Sequence, residues 1–236
     1  MNLSRTAFLS FIVLALVGCG APAKKKSAPP EPVNRVGIVS LLPSELSYQK
    51  FGVTKFNNET AARPVGDVFN TAARAGAMSA LRVGSRSVLQ VSADVPKLVK
   101  NMDDYPGTLD RKVEQIEEDL LALVAEHKLD AIVLVVESFE KGKPVNGIRV
   151  VLRAGMGSVN KVEAQPHIAM LALDKNAKLL GKVEERSFFV VNRPADAPWE
   201  YNLNENLLAA THDHLTKLMK VAIESAVEMG VMSLNF

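Results

Sequence analysis

His212, Asp213 and His214 place two imidazoles and a carboxylate in three consecutive positions, a set that can hold a divalent metal when it lies on a strand. Here the surrounding periodicity predicts a helix. Residues two apart on a helix point about 200° away from each other, so His212 and His214 cannot converge on one ion. His212 falls on the stripe Leu208, Leu215, Met219, Ala222 and Met229, which assigns it to a half-buried core position. The other histidines, His127 and His167, belong to a helix end and a strand, and no spacing links them.

Other candidate chemistry is equally unsupported by spacing. Asp103 with Asp104, Glu117 with Glu118 and Glu184 with Glu185 are neighbouring carboxylates, but adjacency in sequence sends side chains in different directions and builds no acid and base pair. Gly155, Met156, Gly157 and Ser158 have the small residues of a phosphate loop without its lysine or the helix that should follow, and read as a turn between strands. No serine stands in the Gly-x-Ser-x-Gly frame of a nucleophile elbow. The sequence therefore predicts no catalytic residue, no metal site and no cofactor site. Pro198, Trp199, Glu200 and Tyr201 set two large aromatics in a loop ahead of a helix. Trp199 and Tyr201 either anchor a partner contact or fold back over a sheet edge.

Cys19 is the only cysteine, which excludes a disulfide framework, and its setting gives it another use. Arg5 precedes the apolar run Ala7 to Val17, which has the length of a signal-peptide core and is too short for a spanning helix. The run ends in Leu16, Val17, Gly18 and Cys19. These residues resemble the lipobox of bacterial lipoproteins, which implies removal of residues 1–18 and lipidation of Cys19. A lipidated cysteine of that kind usually bears three acyl chains, enough to hold a protein on a membrane essentially permanently. Residue 20 is Gly and not Asp, which by the sorting rule of enterobacterial lipoproteins directs the protein to the outer membrane.

From Gly20 to about Asn34 the chain has four prolines and the lysines Lys24 to Lys26, with almost nothing able to enter a core. This reads as a tether over residues 19–34, spanning at most roughly 50 Å when fully extended. The lysines either touch anionic head groups or keep the spacer soluble. Behind it, residues 35–236 suffice for one domain. Lys and Arg number 28 against 26 Asp and Glu, and the leader holds only Arg5, so there is no electrostatic case for nucleic acid.

Apolar runs predict strands at Arg35–Leu42, Tyr48–Phe56, Ser87–Val91, Leu129–Val136, Ile148–Leu152, His167–Leu173 and Leu179–Val191. Pro43, Ser44 and Glu45 suit a turn, and Asp174, Lys175 and Asn176 a hairpin. Leu129–Val136 lacks polar alternation, as a central strand buried on both faces does. Helices are expected over Gly66–Arg82, with small residues throughout for close packing on something flat, and from Leu109 to about His127 behind Thr108 as N-cap. A third runs from Asn202 and Glu205, a capping-box variant, to about Met229. Ala93–Gly107, with Pro96 and Pro106, reads as irregular. The expected fold class is α/β, a single domain with a mixed sheet of about six or seven strands and three helices packed on it.

The succession RVGIVSLL, a helix, SVLQV, a helix running through LLALVAEHKLDAIVLVVES, a strand and MLALDKNAKLLGKV resembles a group of bacterial envelope domains. That group includes the curli secretion channel subunit, the lipoprotein activator of a peptidoglycan synthase and the amino-terminal domain of the Tol propeller protein. The resemblance covers residues 35 to 229 and rests on Lys128, Leu129, Asp130 and Ala131 after the helix, and on Asp174 in the hairpin. It implies a non-enzymatic binding or scaffolding module of the cell envelope, held at Cys19 on the periplasmic face of the outer membrane, with an envelope protein as partner. A hydrolase whose site residues meet only in the fold, and an immunity or inhibitor lipoprotein of the periplasm, are the alternatives.

Overall fold

A β-branched run forms β1 (Arg35–Leu41), buried from Val36 onward. The computed structural model describes residues 32–52, 58–82, 86–105, 107–138, 147–154, 159–186, 189–191 and 205–234. One carboxylate fixes where β1 begins, because Asp130 Oδ2 accepts the backbone N–H groups of both Asn34 and Arg35 at 2.9 Å. After Pro43 comes β2 (Glu45–Phe51), in which Leu46 and Tyr48 point to the core. Glu45, expected in the turn, is its first residue. The antiparallel neighbour β3 (Glu59–Pro64) is absent from the sequence reading, because ETAARP offers only two adjacent alanines and a terminal proline as apolar residues and so reveals no period of two.

Helix α1 (Val68–Leu81) buries Phe69, Ala72, Ala73, Ala77, Ala80 and Leu81, the stripe its spacing requires. After β4 (Ser87–Gln90) the stretch expected to be irregular contains α2 (Val95–Asp103). Pro96 lies in its first turn, where a missing N–H leaves no bond unmade, and Asp94 caps the helix by accepting from Lys97 N at 3.1 Å. The single helix expected over Leu109–His127 is two, α3 (Leu109–Glu114) and α4 (Glu117–His127). The break lets Ile116 become fully buried, with three-residue hydrogen bonds from Gln115 N and Ile116 N closing the turn. Thr108 stands at the N-cap position, although its side chain makes no capping bond. Lys128, at φ 52°, ends α4 in the left-handed conformation.

The remaining elements are β5 (Ala131–Glu137), β6 (Ile148–Ala154), β7 (Val159–Pro166), β8 (Ile168–Asp174), β9 (Leu179–Glu185), β10 (Phe189–Val190) and α5 (Glu205–Ser233). The mixed α/β fold is as expected, but the ten strands among the described residues divide between two five-stranded sheets where one sheet was expected. The first has the order β4-β1-β5-β8-β9, with β5 at its centre; the second has the order β10-β7-β6-β2-β3. Strands β4, β1 and β5 run parallel, β8 pairs antiparallel with β5, and β9 pairs antiparallel with β8. The hairpin between β8 and β9 turns on Asp174 Oδ1, which accepts from Asn176 N and Lys178 N.

Two apolar cores flank the first sheet. On one side Val39, Leu134 and Leu171 pack with α2, α3 and α4. On the other, Ile38, Val133 and Met170 share a core with α1, α5 and the inward residues of the second sheet, among them Tyr48, Ile148 and Val150. Burying side chains of this size stabilises by about 1.5–3 kcal/mol each. Helix α1, expected to pack on something flat, lies against β1 and β4 of the first sheet and also packs closely on α5. At Gly76 an added Cβ would fall onto the backbone carbonyl of Glu224, so only glycine allows this approach.

Candidate functional site

After β1 the chain runs through β2 and β3 to α1 on one face of the first sheet, and after β4 it passes to α2, α3 and α4 on the other. Such divergence opens a crevice at the carboxyl ends of parallel strands, where α/β folds commonly bind ligands. Here it is an open cleft of about 390 Å³ lined by Ser40, Asp67, Arg74, Gln90, Ser92 and Val95, among others. Asp67, just before α1, pairs with Arg74 two turns further along the same face and accepts from Thr71 Oγ1 at 3.1 Å. Behind the cleft, buried Asn70 fastens the end of β1. Its Oδ1 accepts from Ser40 Oγ (2.7 Å) and Leu42 N (2.9 Å), and its Nδ2 donates to Leu42 O (3.0 Å). The Ser40 proton is thus directed at a neutral carboxamide, which is no base. These groups can recognise a polar ligand, and their pairing sets up no nucleophile.

A second polar cluster closes the carboxyl end of β5. Glu137 Oε1 accepts from Ile148 N at 3.1 Å. Burial pushes its carboxyl up to about 7, against the Ile148 and Gly147 N–H groups and the charge of Lys112, and with Asp103 adding to the rise. Next to it the buried Ser138 hydroxyl donates to Glu184 Oε2 and accepts from Arg186 Nε, both at 3.3 Å. Burial alone would raise the Glu184 carboxyl, but hydrogen bonds from Lys182 and Arg186 hold it below its ordinary value. Neither cluster was identified from sequence. A carboxylate ending a run of six buried apolar residues, and an asparagine inside the apolar stripe of α1, were the available signals.

Of the candidates that were, His212 is half-buried and His214 exposed on α5. His212 Nδ1 lies 2.8 Å from Tyr48 Oη and its Nε2 lies 3.1 Å from Pro64 O. Leu215 and Met219 of its stripe are buried and Ala222 is half-buried, but Met229 faces solvent at 58% exposure because the buried face passes through Ile223, Ala226 and Val227. His127 ends α4 beside Glu126, and His167 separates β7 from β8 with its N–H on Gly147 O. The adjacent carboxylates go separate ways: Asp103 binds Lys112, Glu117 and Glu118 sit in the first turn of α4, and Glu184 is held as described. Among the described residues no three His, Cys, Asp or Glu side chains are grouped to hold a metal. Cys19, Lys24 to Lys26, Gly155 to Ser158, Trp199 and Tyr201 lie outside the described residues.

No protein-family model and no curated protein matches the sequence. Among solved structures, the chain is similar to lipoprotein GNA1162 of Neisseria meningitidis, at 13% identity over 79% of this chain and 97% of that one, with a TM-score of 0.32. It is also similar to the hypothetical protein CT253 of Chlamydia trachomatis, at 8% identity over 83% of this chain and 98% of that one, with a TM-score of 0.37. No helix among the described residues is long and apolar enough to cross a membrane.

Proposed function

We propose that the protein is a lipoprotein of the bacterial cell envelope, held by a lipid on Cys19 at the periplasmic face of the outer membrane, whose domain is a non-enzymatic binding or scaffolding module for an envelope protein. The observation that carries this reading is the apolar run Ala7 to Val17 closing on Leu16, Val17, Gly18 and Cys19, with a proline-rich tether behind it. The β1/β4 cleft supports it on the domain side. There Asp67 engages Arg74 and the Ser40 hydroxyl engages Asn70, an arrangement suited to recognition and not to bond breaking. The tether, at most roughly 50 Å long, keeps that surface close to the anchoring membrane.

Metabolic labelling with a fatty acid tests the anchor. The wild-type protein takes up label and Cys19→Ala takes up none, remaining as an unprocessed or soluble precursor; equal labelling of the two overturns the reading. Crosslinking in intact cells tests the partner and should capture outer-membrane or nearby periplasmic proteins. Capture of chiefly inner-membrane proteins would remove the sorting inferred from Gly20.

A further inference from the structure

At the far edge of the first sheet, on the face covered by α3 and α4, the helices stop short of β9. A pocket of about 230 Å³ remains there, floored by Val113, Leu120, Leu171 and Leu173 and bounded by Leu179. The strand beside it is irregular in a way that matters. Ala172 pairs with Gly181 and Leu173 with Leu179, so Leu180 is an extra residue bulged out of the ladder. Bulges at sheet edges re-aim side chains and interrupt further strand pairing. The result is two consecutive exposed leucines, Leu179 at 51% in the pocket lining and Leu180 at 43% beside it in the chain, on a strand that has no outer neighbour among the described residues.

Size and charge define the occupant. Small-molecule sites usually enclose about 300–1,000 Å³, so this pocket suits one or two apolar side chains better than a whole ligand. Its helical wall is acidic, formed by Asp110, Glu114 and Glu117, which outnumber Lys178, the basic residue that the hairpin turn contributes to the lining. Lys182 engages Asp110, at 3.1 Å, whereas Glu114 and Glu117 have no ionic partner among the described residues. An acidic wall repels the anionic head groups of a membrane and attracts lysine or arginine. We infer that this pocket docks a segment of a partner protein in which an apolar anchor residue is flanked by basic residues. The inference rests on the protein-binding reading above and names the chemistry of its partner. A buried apolar anchor inside a charged rim is the usual arrangement of an energetic centre in an interface.

The test uses the full lipidated chain in nanodiscs of zwitterionic lipid and two synthetic peptides, each with a central photoactivatable leucine, one flanked by lysines and the other by glutamates. The lysine peptide should bind about tenfold more tightly, weaken with added salt, and crosslink to the β8–β9 hairpin or α3. Glu114→Lys with Glu117→Lys, both exposed positions, should reverse the preference, and Leu179→Ser should weaken binding of the lysine peptide. Equal binding of the two peptides, crosslinks elsewhere, or no binding overturns the inference. If envelope crosslinking still captures a partner in that case, the binding-module reading survives without this pocket. If Cys19→Ala is labelled like the wild type, that reading fails whatever the peptides do.

Discussion

The Tyr48 hydroxyl meets Nδ1 of His212 at 2.8 Å and so ties the second sheet to the terminal helix. Tyr48 is 1% exposed, and burial pushes its phenol far up, against Arg63 and with Asp213 adding to the rise, so it keeps its proton. With the phenol donating to Nδ1, the remaining imidazole proton sits on Nε2 and goes to Pro64 O at 3.1 Å. Both ring nitrogens are therefore engaged within the fold, and neither is free for a metal.

Tyr48→Phe should destabilise the protein by about 1 kcal/mol, the net value of one hydrogen bond, while His212→Ala should cost about 1–3 kcal/mol because it strands a buried hydroxyl. Urea unfolding of the two single variants and the double variant measures the coupling. Additive losses would mean that the pair contributes nothing. His214→Ala should be neutral, and neither histidine variant should change metal content. Stoichiometric zinc lost on either change would contradict the arrangement.

The positions of these groups explain how far the sequence could be read. Strands such as β1 and β5 and the helices α1 and α4 follow from patterns within their own residues, because each buries one long apolar run or stripe. The edge strand β3 and the polar β7 (VNKVEAQP) owe their conformation to neighbours that supply the hydrogen bonds, and local sequence records that only weakly. Helix α2 was hidden by Pro96, which marks a first turn as readily as a break. The polar sites were harder still. Glu137 acquires its character from Gly147 and Ile148, and Asp67 meets Arg74 at the mouth of a cleft that exists only once β1 and β4 are parallel neighbours.

Two glycines on the same helix pair make a controlled comparison. Gly76→Ala would gain roughly 1 kcal/mol of helix propensity, yet its methyl group would fall onto the rigid backbone of Glu224 and force α1 and α5 apart. The expected outcome is a net loss of about 1–3 kcal/mol, or several degrees in melting temperature for a domain of this size. At Gly230→Ala the methyl group meets the Sδ and Cε end of Met170, a side chain with three rotatable bonds. That substitution should be milder by at least about 1 kcal/mol. Thermal melts of both variants decide the matter, and equal losses would show that the α1–α5 contact yields as easily as a methionine tip.

Glu137 makes stability depend on pH in a direction opposite to most carboxylates. Its carboxyl titrates near about 7 in the folded chain and near 4.5 when unfolded, so between those values the folded state holds a proton that the unfolded state has lost. The contribution of this group is complete below pH 4.5 and drains away as pH rises through about 7. At roughly 1.36 kcal/mol per unit the loss amounts to at most about 3 kcal/mol. Glu137→Gln preserves an oxygen acceptor for the Ile148 N–H and carries no charge to desolvate. Its unfolding free energy should accordingly lack this decline, so that wild type loses stability relative to the variant on going from pH 5 to pH 8. Urea titrations of both proteins at the two pH values provide the measurement. Parallel profiles would show that water reaches the carboxylate and that its bonds to Gly147 and Ile148 form at no electrostatic cost.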